Sequence, residues 1–338
     1  MTGRNIALLL VLLLLSVVLF FLHLLVGSVS LNMDSVIDAL FSRSMGGNAA
    51  RILHEVRLPA AWTAVLAGSG LAACGLLMQT LFRNPLAGPS VLGLSSGASL
   101  GVAMLILARP LWAMDLIPVH AAVVLGAFFG AMAVLFLIML ADGRMGDGVG
   151  LLIIGLMVGY LCGALIDVLQ VVAPEGALRG FVLWGMGSFN NVVRTQLPWL
   201  ALPVLLGLVV ALLLMKPLNA LLLGNEYASS LGVAVPGLRR TIMWTTGLLA
   251  GTITAFCGPI AFLGLATPHV ARALCRTSDH RILLPMTIAM GGMLALLCGL
   301  IVKWPGPAAL PLNAVTSLLG APVVAWVLWR GKKWARTA

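Results

Sequence analysis

An all-α, polytopic membrane bundle of about ten crossings is the fold class this sequence predicts, on three observations. Hydrophobic residues fill 61% of the 338 positions and charged residues only 9%. The mean hydropathy is +1.10, which describes a chain whose solvent is mostly lipid. The charges also leave nine stretches free of Asp, Glu, Lys and Arg, each reaching the roughly 17–25 residues that a spanning helix needs. Residues 1–338 are read as a single transmembrane domain.

The nine stretches are 5–33, 58–82, 84–108, 116–141, 148–166, 195–215, 241–271, 282–302 and 304–329. The run 241–271 is too long for one crossing and contains Gly258-Pro259, where proline lacks the N–H that would continue a helix. It is read as two segments, the second short, and a half-length segment needs neighbouring protein to satisfy its backbone ends. The count becomes ten. An even count puts both termini on one side, and Arg330, Lys332, Lys333 and Arg336 in the tail predict that this side is the cytoplasm. Thirteen cations then lie inside: those four with Arg4, Arg83, Arg144, Lys216, Arg239, Arg240, Arg272, Arg276 and Arg281. Seven lie outside: Arg43, Arg51, Arg57, Arg109, Arg179, Arg194 and Lys303.

The first apolar run, Ile6 to Val26, exceeds the roughly 7–15 residues of a secretion signal and is kept as the first helix. The following segment, 31–56, carries Val36, Ile37, Leu40 and Phe41 at helical spacing and predicts a short amphipathic helix on the outer surface. The net charge of +10 is scattered through the loops; it orients the chain in a bilayer and does not point to nucleic acid. Cys74, Cys162, Cys257, Cys275 and Cys298 fall mostly inside apolar segments without metal-like spacing. They are read as small packing residues, with no metal site.

Residues 66–75, "LAGSGLAACG", echo 249–258, "LAGTITAFCG", and a Trp-Thr pair precedes each copy. The predicted topology runs the copies in opposite directions, as an inverted repeat would; a shared packing requirement for small residues is the alternative. Ion-driven carriers place ionisable groups near the midplane, whereas here Asp167 and His23 sit near helix ends. No GxxxxGK[ST] phosphate loop occurs. Energy for uphill transport is therefore expected from a partner that docks on the inner face. The alternative is a stand-alone secondary transporter. A membrane-embedded enzyme would require a nucleophile, base or metal constellation, and none stands out among the five His and ten acids.

Two inner loops could carry such docking. In 216–240, Asn225 to Leu231 is bounded by Gly224 and Gly232, with Glu226 in the first turn where a helix dipole favours an anion. The segment reads equally as a short helix able to transmit a push or as an ordinary connection. In 267–281, Pro268, His269, Arg272, Arg276, Asp279, His280 and Arg281 cluster. The eleven-residue histidine spacing and the surrounding cations argue against a metal and for hydrogen-bonded contacts to another subunit.

The stretch "RNPLAGPSVLGLSSGASLG", 83–101, divides two apolar runs with one Arg, two Pro and several Gly. Asn84-Pro85 and Gly88-Pro89 make a turn that cannot propagate a helix. Ser95, Ser96, Gly97, Ser99 and Gly101 keep the next helix thin, able either to line a path or to pack closely on a neighbour.

Four ordered motifs resemble the FecCD-type permeases, the membrane subunits of ABC importers for ferric siderophores, haem and cobalamin. They are "RLPAAWTAVLAGSGLAACGLLMQTLFRNPLAGPSVLGLSSGASLG", "LLLGNEYASSLGVAV", "GPIAFLGLATPHVARAL…DHRILLP" and "LPLNAVTSLLGAPVVAWVL", spread from about Leu31 to Trp329. The resemblance implies a type II ABC importer permease fold in a bacterial inner membrane, paired with a second copy or a related permease. It also implies two cytoplasmic ATPase subunits, which hold the ATP and Mg, and a periplasmic or lipoprotein-type substrate-binding protein. This chain itself is expected to carry no cofactor and to catalyse no reaction.

By the same resemblance, 224–232 (Gly224, Asn225, Glu226, Tyr227, Ala228, Ser229, Leu231 and Gly232) is the coupling helix seated in the ATPase. Asn84, Pro85 and Leu86 match the inner gate. Ser95, Ser96, Gly97 and Ser99 would line the pathway. Arg57 matches a basic docking position for the binding protein, with Lys303 able to serve likewise. Pro268, His269, Arg272, Asp279, His280 and Arg281 match an inner loop motif. Ala309 replaces a usual Glu and Asn313 a usual Gly, and an acid common near the end of the ninth helix is absent, which bears on binding-protein docking.

Overall fold

The computed structural model describes residues 3–27, 29, 32–41, 48–108, 119–145, 148–304 and 310–334. Arg43, Arg109, Ala309, Arg336 and parts of the predicted 31–56 segment lie outside the described residues. In chain order the helices are α1 (Gly3–Leu25), α2 (Met33–Phe41), α3 (Asn48–Leu81), α4 (Leu94–Ile106), α5 (Val119–Met145), α6 (Gly148–Val172) and α7 (Glu175–Gly185). They continue with α8 (Leu197–Leu213), α9 (Met215–Leu222), α10 (Asn225–Ser230), α11 (Val235–Cys257), α12 (Leu263–Cys275), α13 (His280–Lys303) and α14 (Leu312–Trp334). No strand occurs among the described residues. The fold class is as predicted.

Ten of these helices (α1, α3, α4, α5, α6, α8, α11, α12, α13 and α14) fall on the ten predicted segments. Among the described residues five helices are each long and apolar enough to cross a membrane, in α1, α3, α5, α6 and α13, with a sixth span if α8 and α9, bent by 53°, count as one. Apolar side chains on α1, α5, α6 and α8 are left uncovered, such as Leu10 (62% exposed), Phe129 (64%), Val168 (65%) and Leu202 (70%). In lipid such a surface costs nothing.

The helix ends differ from the charge-free stretches in a consistent way. Helix α3 starts at Asn48 and runs through His54, Glu55 and Arg57, where a π-helical turn, Leu53–Arg57, absorbs the register. Helix α6 runs past Asp167 to Val172. Conversely, 84–108 yields only the thirteen-residue α4, because Pro85, Gly88 and Pro89 hold 84–93 in turns and Gly93, at φ 75°, opens the helix. A charge does not end a helix; a missing N–H or a left-handed backbone does. Helix α7 lies between predicted segments, with Pro174 before it and Glu175 in its first turn.

By contacts the chain separates into two units: residues 1–73, 188–202 and 261–338, and residues 74–187 and 203–260. In the first, α13 packs against α1, α12 and α14. Gly68 of α3 and Gly291 of α13 each approach the other's carbonyl, and the Ser69 hydroxyl donates to the Ile288 carbonyl at 3.0 Å. Phe20 meets Trp62 edge to face at 5.1 Å between ring centroids. The amphipathic α2 buries Val36 and Ala39 and exposes Ile37.

The expected half-length segment is also here. Helix α12 starts after Phe262, at φ 62°, whose Cβ sits against Gly320 of α14. The Ala261 N–H ahead of it donates to the Asn313 side-chain oxygen at 2.9 Å. Asn313 thus supplies the partner that a broken backbone needs in lipid.

In the second unit α4 packs most extensively on α5, which packs in turn on α11. A core of Ala98, Val102, Ala103, Ala127, Ala131, Ile166 and Phe181 fills it. Gly97 and Gly101 of α4 face Gly130 and Gly126 of α5 so closely that a Cβ on Gly101 would strike the Gly126 carbonyl. The internal echo extends to environment: Trp62 and Trp244 are 48% and 50% exposed, while Cys74 and Cys257 are both fully buried.

Gly101→Ala is expected to lower the stability of the detergent-solubilised protein by about 1–3 kcal/mol through overpacking. Gly163→Ala, which meets nothing within 4 Å, should leave it unchanged or slightly raised. Thermal melting of the two variants side by side is the check.

Candidate functional site

Helix α10 stands between two glycines in backbone conformations that L-residues avoid, Gly224 at φ 122° and Gly232 at φ 82°. Its end is closed by the Gly232 N–H on the Ser229 carbonyl (2.9 Å) and the Val233 N–H on the Ala228 carbonyl (3.0 Å), the paired bonds of a Schellman stop. Ala228 alone in this helix is buried, while Asn225, Glu226, Tyr227, Ser229 and Ser230 are exposed. With Leu222, Leu223 and Leu231 also exposed, the elbow presents an apolar surface around one acid. Of the two sequence readings of 224–232, the helical one holds.

The predicted gate, Asn84 to Leu86, is a tight turn at the end of α3. The Asn84 side-chain oxygen accepts the Leu86 N–H at 2.9 Å, and the Asn84 carbonyl accepts the Ala87 N–H at 3.0 Å. Asn84 therefore templates the turn that Pro85 cannot extend into a helix, leaving Leu86 41% exposed. Arg83, just before it, donates from Nη2 to the Leu221 carbonyl at 3.2 Å, at the end of α9. That contact was not foreseen, and an arginine in a motif of small residues was its one signal.

The predicted pathway residues separate. Ser95 and Ser99, one turn apart, are half-buried, as is Ser96, beside Gly159 of α6. Gly97 is buried against Val134 and the Gly130 carbonyl of α5, so its missing side chain serves a helix crossing.

Expected as a docking charge, Arg57 is only 4% exposed. Its guanidinium donates to the carbonyls of Leu24 (2.5 Å), Leu25 (2.8 Å) and Val29. These are carbonyls at and beyond the end of α1, left without helical partners, so Arg57 is a cap. Lys303 is also drawn inward, its Nζ 2.9 Å from Nδ1 of the buried His23. Of the cations predicted to lie outside, Arg51 and Arg194 in the same unit are exposed, the latter 3.6 Å from Glu55.

The predicted inner loop motif is mostly helix. Pro268, His269 and Arg272 lie on α12, with Pro268 and His269 buried. Asp279 caps α13 by accepting the Arg281 N–H at 2.9 Å, His280 is buried in its first turn, and Arg281 is exposed. The Arg4 side chain donates to the Cys275 carbonyl at 2.9 Å, meeting the end of α12. A further ion pair, Arg239 of α11 with Asp142 of α5 at 2.5 Å, is nearly buried. Its sequence signal was an acid and a base at the ends of neighbouring apolar runs.

The described helices form an apolar bundle with an exposed helical elbow, and likeness in sequence and fold defines it as a transport subunit of the ABC-transporter kind. A solved structure described as the inward-facing conformation of an ABC transporter assigned to the metal-chelate type superposes with a TM-score of 0.83 at 29% identity, covering 95% of this chain and 98% of that one. The model of the FecCD transport family matches residues 12–330, and the chain belongs to that family. It is 37% identical over 285 residues to the vitamin B12 import system permease protein BtuC of Klebsiella pneumoniae, covering 83% of each chain. It is 36% identical over 282 residues to the hemin transport system permease protein HmuU of Yersinia pestis, covering 82% of this chain and 83% of that one.

Arg57→Met should lower the melting temperature in detergent by several degrees, through about 1–3 kcal/mol for buried carbonyls left unmet. Arg194→Ala, which removes an exposed ion pair, should change stability by less than about 1 kcal/mol.

Proposed function

We propose that this chain is the membrane permease of an ABC importer that carries a metal chelate of the siderophore, haem or cobalamin class across a bacterial inner membrane. Two permeases, identical or related, enclose the pathway. Two cytoplasmic ATPases, which hold the ATP and Mg, engage α10, and a periplasmic or lipoprotein-type binding protein delivers the substrate. Both termini face the cytoplasm, consistent with the thirteen-to-seven distribution of cations. The observation that carries the reading is the completeness of the likeness, 95% of this chain against 98% of a transporter subunit of that type.

The mechanism is alternating access. ATP binding draws the motors together, and their movement enters through the exposed Tyr227, Leu231 and Glu226 around α10. It reaches the Asn84–Leu86 turn, which opens and closes the inner end. Ser95, Ser96 and Ser99 offer small hydroxyls instead of charges. A large chelate needs weak contacts on its route, since tight binding would slow its release.

The test is reconstitution of the permease with its ATPase and binding protein in vesicles, offered cyanocobalamin, haemin or a ferric siderophore. Uptake of one of these that requires ATP supports the reading; uptake by the permease alone on an ion gradient refutes it. Glu226→Arg should insert normally yet lower binding-protein-stimulated ATP hydrolysis by about tenfold, the effect of a charge reversal worth about 1.4 kcal/mol at an interface.

A further inference from the structure

We propose that Arg83 is the positioning residue that ties the α9–α10 elbow to the 84–86 gate turn, so that displacement of the elbow moves the gate. The inference rests on the reading of α10 as the motor-facing helix and of 84–86 as the inner gate.

Three observations converge on this residue. The first is its backbone. The Arg83 N–H bonds the Thr80 carbonyl (3.4 Å) and the Asn84 N–H bonds the Gln79 carbonyl (3.2 Å), which makes Arg83 the left-handed residue of a Schellman stop on α3, at φ 46°. That position favours glycine, and the same stop on α10 does use one, Gly232. An arginine held there costs backbone energy that glycine would avoid, and strain of this kind concentrates where it serves function.

The second observation is where the side chain goes. It spans 138 residues of sequence to donate from Nη2 to the Leu221 carbonyl at 3.2 Å, one of the last carbonyls of α9, which also accepts the Gly224 N–H at 3.2 Å. A cation at a helix C-terminus also meets the negative end of the helix dipole. The third is Gly224, the hinge immediately before α10. A Cβ built there would come within 3.1 Å of Arg83 Nη2, so the guanidinium lies against the hinge as well as the helix end.

The residue that follows is Asn84, whose side chain templates the gate turn through the Leu86 N–H. One arginine thus has its backbone in the gate turn and its guanidinium on the elbow. A push on α10 that displaces the Leu221 carbonyl pulls on the residue that sets the direction of the gate. The planar, multi-donor guanidinium suits this better than the point charge of lysine.

The decisive variant is Arg83→Gly, which keeps the helix stop and removes the strain but deletes the link. In the complete importer in vesicles, with whichever of cyanocobalamin, haemin or a ferric siderophore the wild type accumulates, Arg83→Gly should melt at or above the wild-type temperature and hydrolyse ATP within about twofold of it. Chelate uptake per ATP should fall by about fivefold or more, the lower range of measured couplings between sites. Arg83→Lys should recover part of that loss. Wild-type uptake per ATP in Arg83→Gly would overturn the proposal. So would a fall in melting temperature that tracks the loss of both activities, which would make Arg83 a helix stop and nothing more. Failure of the wild type to accumulate chelate with ATP would instead remove the underlying reading, so the two failures are separable.

Discussion

Hydrocarbon offers no water to a broken backbone, so each place where a helix stops inside the bilayer must be met by protein. The break ahead of α12 follows from that constraint, and the helix ends that the predicted topology puts at the aqueous faces are met by protein as well. The carbonyls at and beyond the end of α1 are met by Arg57, and the last carbonyl of α12 by Arg4. The N–H ahead of α12 is met by Asn313, and the first turn of α13 by Asp279. The end of α9 is met by Arg83. Most of these partners are remote in sequence. They bind the helix ends into units whose apolar side chains gain little from burial, because lipid is as apolar as a neighbouring leucine.

With the hydrophobic drive between helices weak, contact depends on how near two backbones can come. The Gly68–Gly291 crossing in one unit and the Gly97/Gly101–Gly126/Gly130 crossing in the other bring carbonyls to distances that no Cβ would allow. Small residues that could have lined a path are in part consumed in this way. What remains for the path is correspondingly small: hydroxyls at Ser95, Ser96 and Ser99, half-buried on a thirteen-residue helix.

The same economy governs the cations. Three arginines that the sequence marks as loop charges (Arg4, Arg57 and Arg83) spend their guanidinium groups on backbone carbonyls, and Arg239 is paired with Asp142. A positive charge beside an apolar run is thus ambiguous. It can orient the chain, dock a partner or close a helix, and only the position of its nearest carbonyl tells which.

The sequence by itself determined the class of the protein, the ten apolar segments, the break at Gly258-Pro259 and the glycines that bound 224–232. All of these follow from local chemistry: a run without charges, a proline without an N–H, a glycine that tolerates positive φ. The motifs also sufficed to place the chain in its family. Tertiary structure alone decided that α3 begins ten residues before its apolar run. It decided too that Gly97 packs on a helix and that Arg57 is a cap. Those outcomes depend on which carbonyl, helix or glycine lies opposite, tens to hundreds of residues away, and no local pattern carries that distance.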